Sequence, residues 1–107
     1  MCGRYVLMTV GKDLAKQFGL EEEPVLEPRY NIAPTQIVVI IRVDRDTLQR
    51  RLALVKWGLI PFWAKDKSIG NRMINARAES AADKPAFRSA FKFRRCLVPA
   101  DGYYEWQ

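Results

Sequence analysis

Histidine is absent from the 107-residue chain, and cysteine occurs only at Cys2 and Cys96. Without histidine, no Ser-His or Cys-His dyad can form within these residues. Two cysteines are too few for a disulfide framework, so we expect free thiols in a reducing compartment. The longest apolar run, residues 37–41, is far shorter than a membrane span. No basic-then-apolar leader is recognisable, which predicts a non-secreted protein.

Sequence motifs for the common cofactors are also missing. The chain has no Walker phosphate loop, no dinucleotide-binding glycine fingerprint and no paired-cysteine metal site. We therefore predict neither a metal nor an organic cofactor. Apolar residues make up 49% of the chain and charged residues 28%, a composition typical of a globular domain with one modest core.

Positive charge is in excess, with a net charge of +6. This excess favours a polyanionic partner, and nucleic acid first. Much of it falls in two clusters, one around residues 42–56 and one in residues 84–95. The first comprises Arg42, Arg45, Arg50, Arg51 and Lys56, and the second comprises Lys84, Arg88, Lys92, Arg94 and Arg95. Solvated faces with no partner explain these clusters equally well.

Hydrophobic patterning predicts an α+β fold in which strands alternate with short helices. The expected strands are residues 4–8, 36–43 and 47–57, the last two forming a hairpin, followed by two strands in residues 95–107 around a turn at 100–102. The expected helices are residues 9–19, capped by Thr9 and ended by Gly19, and 83–91. Residues 20–36 and 58–72 are expected as loops. Because the chain stops inside an aromatic strand, the pattern also predicts truncation.

The opening "MCGRYV" places a cysteine one residue from the chain start. If Met1 is removed, Cys2 carries an α-amine and a thiol on neighbouring carbons. This 1,2-aminothiol can trap an aldehyde twice, first as a Schiff base and then as a five-membered thiazolidine. Gly3 would allow close approach of a substrate. A lone cysteine is more often an inert small hydrophobe, so both interpretations stay open at this point.

Three further features could carry chemistry, and each has a structural alternative. Asn75 in "INARAES" could orient a substrate or close a turn. Glu105, flanked by aromatic residues in "GYYEWQ", could move protons or face solvent. Trp57, Phe62 and Trp63 could stack on unpaired bases or lie in the core.

Five stretches together resemble the SOS response-associated peptidase (SRAP) family. They are "MCGRY", "RYNIAPTQ", "WGLIPFW", "INARAES" and "RCLVPADGYYEW", in the family's order and spacing over residues 2–106. The resemblance implies a compact α+β fold around a curved, barrel-like antiparallel sheet with short peripheral helices. It also implies that residues 1–107 are the N-terminal half of a single domain.

The resemblance implies a sensor of abasic sites in single-stranded DNA that acts in the DNA damage (SOS) response. Family members remove their own initiator methionine and form a thiazolidine DNA–protein crosslink that shields the lesion. By motif, Cys2 would be the nucleophile, Asn75 would orient it, and Glu105 would donate and accept protons. Arg4 and Arg77 would bind phosphates, and Trp63 would contact bases. Gly3, Asn31 and Pro34 would shape the site wall.

The family's active-site histidine lies in the half that this chain lacks. It is either supplied by another chain or absent, so we expect poor folding and weak or absent crosslinking by residues 1–107 alone. The implied location is the bacterial cytoplasm with the nucleoid, or the nucleus in a eukaryote, and no membrane. Two alternatives remain: a peptidase or amidohydrolase that uses Cys2 on external peptides, and a non-covalent nucleic-acid-binding module in which Cys2 is incidental.

Overall fold

Five strands and two short α-helices make up the fold of residues 2–105, the part of the chain described by a computed structural model. In chain order they are β1 (Arg4–Leu7), α1 (Gly11–Phe18), β2 (Arg29–Ile32), β3 (Ile37–Val43), β4 (Arg50–Lys56), α2 (Arg88–Phe93) and β5 (Gly102–Tyr104). A 3₁₀ helix, Lys67–Asn71, lies between β4 and α2. The expected α+β class with short helices is confirmed.

The expectation of one barrel-like sheet is wrong for the described residues. They form two separate antiparallel sheets, one of three strands in the order β2-β1-β5 and one of the β3–β4 pair. A barrel requires every strand to have two neighbours. Within residues 2–105 only β1 is flanked by named strands on both sides, so closure cannot occur among these strands.

The β3–β4 hairpin supplies much of the core. Its seven residue pairs run from Ile37 opposite Lys56 to Val43 opposite Arg50, as the sequence predicts. The run of β-branched residues in β3 suits a strand covered on both faces, and residues 38–41 are all buried. Val38, Val39 and Ile40 pack in one cluster with residues of β1 and β2, which holds the two sheets together.

Strand β1 is the centre of the three-stranded sheet. Arg4 lies opposite Tyr104 of β5, and Tyr5 lies opposite both Tyr103 of β5 and Ile32 of β2. Because side chains alternate along a strand, Arg4 and Tyr5 point to opposite faces. Strand β2 lies within residues 20–36, which the sequence predicts as loop, so its strand character is a correction.

Both helices begin later than the sequence predicts. Val10, not Thr9, is the N-terminal flanking residue of α1 and makes no side-chain cap. The Thr9 hydroxyl instead donates to the Asp101 carboxylate at 2.6 Å, a charged acceptor that makes a stronger hydrogen bond. The predicted end of α1 is confirmed, because Gly19 has left-handed backbone with φ of 68°.

Residues 83–87 form turns, and α2 starts only at Arg88. Pro85 explains the delay, because it lacks an N–H group and disfavours helical backbone at Lys84. In residues 95–105, Leu97 makes only an isolated bridge to Ile41 and β5 is confined to three residues. The remainder of the predicted last strand, residues 106–107, lies outside the described residues. Among those described, no helix is both long and apolar enough to cross a membrane.

Candidate functional site

A cavity of about 920 Å³ opens beside Cys2 at the start of β1. It brings together six of the nine residues to which the family motifs assign a role, although the six come from four separate stretches of chain. The lining residues are Cys2, Gly3, Arg4, Asn31, Ile74, Asn75, Tyr104 and Glu105. We call this space the Cys2 cavity.

Asn75 contacts Cys2 directly. Its side-chain amide Nδ2 donates to the backbone carbonyl oxygen of Cys2 at 2.9 Å, across 73 residues of sequence. This bond fixes the position of the Cys2 backbone, and with it the nitrogen and the thiol-bearing carbon. The turn-closing alternative for Asn75 is therefore less favoured than a role in holding Cys2.

Trp57 holds the segment that carries Asn75. Its indole Nε1 donates to the carbonyl oxygen of Ile74 at 2.8 Å, and its ring packs against Tyr5 with centroids 5.6 Å apart. The stacking role considered for Trp57 is thus not the one its position favours. It is a half-buried core residue that connects β1 to the Asn75 segment.

A close backbone approach fixes the loop that follows Trp57. Gly58 has φ of 143°, and a Cβ atom added there would lie 2.3 Å from the carbonyl oxygen of Gly70. Next to it, the Leu59 amide donates to the Met73 carbonyl oxygen at 2.9 Å. Only glycine fits this conformation without strain, so Gly58 lets the loop reach the chain two residues before Asn75.

Side chains on the exposed face of the three-stranded sheet form the opposite wall of the Cys2 cavity. Arg4 Nη1 donates to Asn31 Oδ1 at 2.9 Å, which orients a cation at the cavity edge. The Tyr104 hydroxyl donates to the Tyr30 carbonyl oxygen at 2.8 Å. Glu105 follows β5 and lines the same cavity as an exposed residue. A cation, a carboxylate and an amide therefore line one cavity.

A second cavity, of about 550 Å³, lies on the other side of Cys2 and is mainly apolar. Tyr5, Trp57 and residues of the hairpin line it together with Cys2 and Cys96. The Cys2 thiol itself donates to the Arg4 carbonyl oxygen at 3.6 Å. Cys2 is partly exposed and thus lies between a cavity lined by charged and amide side chains and a mainly apolar one.

Tyr5 carries a buried polar atom in this apolar space. Among residues 2–105, its hydroxyl has no hydrogen-bond partner. Burial raises the pKa of the Tyr5 phenol above its ordinary value, and the charge of Arg29 partly opposes this. The phenol therefore stays neutral at physiological pH.

Three of the predicted site residues lie outside the Cys2 cavity. Arg77 and Trp63 are exposed, Trp63 at 50%, and neither lines the cavity. Pro34 occupies a turn in which the Gln36 amide donates to the Ala33 carbonyl oxygen at 3.3 Å. The structure thus places Arg77 and Trp63, the expected phosphate and base contacts, outside the lining of the Cys2 cavity, and Pro34 in a turn.

Sequence reasoning missed Tyr104 and Ile74 as lining residues. Tyr104 is the strand neighbour of Arg4 and shares its face, a long-range pairing that the local sequence does not reveal. Ile74 enters through its carbonyl bond to Trp57, a backbone contact that no side-chain pattern reveals.

Solved structures share this arrangement of strands and helices. A phage-related protein from Bordetella bronchiseptica superposes with a TM-score of 0.78 at 30% identity, covering 99% of this chain and 47% of that protein. A second protein from the same organism gives a TM-score of 0.75 at 27% identity, covering 97% of this chain and 50% of that one. The fold thus places this chain among α+β proteins whose solved members are about twice its length.

The model of the SOS response associated peptidase (SRAP) family matches residues 1–107, and the chain belongs to this family. It is 44% identical over 110 residues to the abasic site processing protein YoqW of Bacillus subtilis, covering 100% of this chain and 48% of YoqW. It is 34% identical over 91 residues to the abasic site processing protein HMCES of Xenopus tropicalis, covering 76% of this chain and 27% of HMCES. The chain spans about half the length of its Bacillus relatives.

Proposed function

We propose that this chain recognises abasic sites in single-stranded DNA and captures them covalently through Cys2 once Met1 has been removed. The observation that carries the proposal is the Cys2 cavity, in which Asn75 Nδ2 binds the Cys2 carbonyl oxygen and Arg4 and Glu105 share the lining. The relatives named abasic site processing proteins support the same lesion. The crosslink would shield the lesion in the DNA damage response.

The proposed reaction uses both nucleophiles of Cys2. An abasic site opens to an aldehyde, and the freed α-amine of Cys2 attacks its carbon and expels one water molecule to form an imine. The thiol then adds to the same carbon, and its proton moves to the nitrogen. A five-membered thiazolidine results, and the net change is loss of one water. Ring closure is intramolecular, so it benefits from effective concentration.

Each lining residue has a role that follows from its chemistry. Asn75 holds the Cys2 backbone so that the amine and the thiol face the aldehyde. Glu105 exchanges protons during sugar opening, imine formation and crosslink reversal. Arg4, positioned by Asn31, binds a phosphate next to the lesion. The same cysteine would remove Met1 by hydrolysis, which gives the chain a self-processing peptidase activity.

Single-stranded DNA is the form of substrate that the surface favours. Phe62 and Trp63 are 82% and 50% exposed on the loop after β4, and exposed aromatic rings stack on unpaired bases. Arg77 is exposed and follows Asn75 by two residues, so it is available to bind a phosphate. Such DNA would be met in the bacterial cytoplasm, or in the nucleus if the source is a eukaryote.

One catalytic group is missing from this chain. It contains no histidine, and we place the histidine implied by the family resemblance in the half that the alignment with YoqW leaves uncovered. Residues 1–107 are then the N-terminal half of one domain. We refer to the chain fused to that uncovered part of YoqW as the completed chain, and we expect it to crosslink faster than residues 1–107 alone.

The proposal is tested with the completed chain and a single-stranded oligonucleotide that carries one abasic site. A denaturing gel should show a shifted band that forms without reductant. The band should be lost in Cys2→Ala, and also when an uncleavable residue precedes Cys2. Cys96→Ala is the matched control and should crosslink normally. A band that persists in Cys2→Ala would overturn the proposal, as would turnover of external peptides with no DNA adduct.

A further inference from the structure

The two basic clusters of the sequence meet on one side of the fold. The Ile41 amide donates to the Leu97 carbonyl oxygen at 2.9 Å, and the Leu97 amide donates back to Ile41 at 2.8 Å. Arg45 Nη2 donates to the Phe93 carbonyl oxygen at 3.2 Å. These bonds fix the end of α2 against the β3–β4 hairpin, so cations more than 40 residues apart share one surface.

Two further cavities adjoin the Cys2 cavity through shared lining residues. A cavity of about 420 Å³ is lined by Asn75, Arg94 and Arg95 among others, and one of about 310 Å³ is lined by Arg42 and Arg95 among others. Asn75 lines both the Cys2 cavity and the 420 Å³ cavity, and Arg95 lines both the 420 Å³ and the 310 Å³ cavity. We call Arg42, Arg94 and Arg95 the basic tract. Arg50 also lines the 310 Å³ cavity, but its guanidinium donates to the Phe18 carbonyl oxygen at 3.2 Å and lies beside Glu21, Glu22 and Glu23.

The tract is positively charged and partly pre-ordered. Within residues 2–105, the one side-chain ion pair joins Arg51, outside the tract, to Asp44 at 3.5 Å. A hydrogen bond from the Asp46 amide lowers the pKa of the Asp44 carboxyl most, and the charge of Arg42 also lowers it, so Asp44 offsets part of the positive charge at that end of the tract. The Arg95 guanidinium carbon lies 3.9 Å from the centre of the Phe91 ring, and Arg95 Nε donates to the Phe91 carbonyl oxygen at 2.6 Å. These contacts hold a planar cation in place, an arrangement suited to phosphate.

We propose that the basic tract binds the phosphate backbone of the DNA strand where it leaves the lesion pocket, as a second DNA-binding site separate from the reacting residues. The inference rests on the proposed function for the identity of the polymer. A linear polyanion suits the tract because the cavities that its arginines line adjoin one another and the Cys2 cavity through Asn75 and Arg95. The exposed Phe91 ring adds an apolar surface along it for a sugar or a base.

The first test measures binding of the completed chain to lesion-free single-stranded DNA by fluorescence anisotropy over a range of salt. Lesion-free DNA has no aldehyde, so this binding does not involve crosslinking. The double variant Arg42→Gln/Arg95→Gln should reduce the slope of log K against log [salt] by about 1.4, since each lost phosphate contact on a single strand removes about 0.7. The charge-preserving variant Arg42→Lys/Arg95→Lys should keep the slope.

Lys12→Gln/Lys16→Gln is the matched control, because it removes the same charge from exposed positions on α1, away from all three cavities. Its slope should stay near that of the unmodified chain. If Arg42→Gln/Arg95→Gln and Lys12→Gln/Lys16→Gln lower the slope equally, the tract is not a DNA site and the inference is wrong. Should Arg42→Gln/Arg95→Gln fail to fold by circular dichroism, Arg42→Gln/Arg94→Gln gives the same comparison while keeping the Arg95–Phe91 stack.

A second test asks whether the tract lies on one side of the lesion. Two single strands each carry one abasic site and one flank of about ten nucleotides. The flank lies on the 5′ side of the lesion in one strand and on the 3′ side in the other. In the Cys2→Ala background, one strand should bind more tightly, and Arg42→Gln/Arg95→Gln should remove the difference. Equal binding of both strands before the arginine substitutions would contradict the inference. If the completed chain forms the adduct but Arg42→Gln/Arg95→Gln leaves the salt slope unchanged, only the proposed role of the tract is refuted. If binding depends on the tract but no adduct forms, only the proposed crosslink is refuted.

Discussion

The side-chain amide of Asn75 lies 2.9 Å from the carbonyl oxygen of Cys2 and donates a hydrogen bond to it. This contact joins the chain start to the segment after the 3₁₀ helix, and no local interaction could make it. It gives the Cys2 backbone a fixed position beside Arg4 and Glu105. The proposed chemistry depends on that position, because amine and thiol must reach the same carbon atom.

Removing the Asn75 amide should slow crosslinking while leaving the fold intact. We expect Asn75→Ala to lower the crosslinking rate of the completed chain at saturating DNA by about tenfold, the rate equivalent of one hydrogen bond of about 1.4 kcal/mol. Quenched time points on denaturing gels give this rate. Asn71→Ala, an exposed asparagine in the 3₁₀ helix, is the control and should react at the normal rate. Equal rates for both variants would remove Asn75 from the mechanism.

Gly58 should be intolerant of any side chain. A Cβ at Gly58 would meet the Gly70 carbonyl oxygen at 2.3 Å, and its φ of 143° is strained for other residues. We expect Gly58→Ala to lower the free energy of unfolding by about 2–3 kcal/mol or more, measured by urea denaturation. Gly102→Ala faces open space and should change it by less than about 0.5 kcal/mol. If Gly58→Ala leaves the free energy of unfolding unchanged, the loop does not pack against Gly70 as described.

Two tryptophans on neighbouring segments should behave in opposite ways. Trp63→Ala should leave stability within about 0.5 kcal/mol and weaken lesion-free single-stranded DNA binding by about 1–3 kcal/mol through lost stacking. Trp57→Ala should destabilise the fold by about 3 kcal/mol, because it removes the packing on Tyr5 and the bond to Ile74. Thermal melting and anisotropy on the same samples separate the effects. A Trp63→Ala variant with normal DNA binding would exclude that ring from the interface.

Asp101 should make stability depend on acid. A hydrogen bond from the Thr9 hydroxyl, then those from the Met8 and Thr9 amides, lower the pKa of the Asp101 carboxyl below 3.8. The ionised carboxylate therefore stabilises the fold fully above about pH 4, the unfolded value. This stabilisation is lost as pH falls through the lower folded-state pKa.

The check is a series of thermal melts between about pH 2.5 and 6, spanning both pKa values. Asp101→Asn should lower the melting temperature near pH 6 and flatten its decline below pH 4. Asp83→Asn, at an exposed position in the turns before α2, should leave the acid dependence unchanged. If the Asp101 and Asp83 variants give parallel curves, the Thr9–Asp101 contact contributes no acid-sensitive stability.

Local patterns predicted the parts of the fold that local forces determine. The β-branched run of β3 and its hairpin with β4 were predictable, because their partner lies only a few residues away. Strand β2 was not, because prolines surround it and its pairing with β1 is long-range. Thr9 was expected to cap α1, but Asp101, 92 residues away, takes its hydroxyl.

The candidate site also has one part that the local sequence predicts and one part that it does not. The chemistry proposed for Cys2 follows from its position and from the two nucleophilic groups that it would carry without Met1. The approach of Asn75 does not follow from local sequence, because it depends on Trp57 and Gly58 bringing one loop to another. Only the family motifs pointed to it. The meeting of the basic clusters depends on the Ile41–Leu97 bridge, which likewise has no local signal.

The most direct measurement is the intact mass of the completed chain after reaction with abasic single-stranded DNA and no reductant. The predicted mass is that of the chain without Met1, plus the oligonucleotide, minus one water, with the bond located at Cys2 after digestion. A Cys2→Ser chain produced with the serine as its first residue, so that it has the α-amine but not the thiol, should give this adduct only when borohydride traps the imine. A reductant-free adduct in Cys2→Ser, or one on a chain that retains Met1, would contradict capture by the two nucleophiles of Cys2.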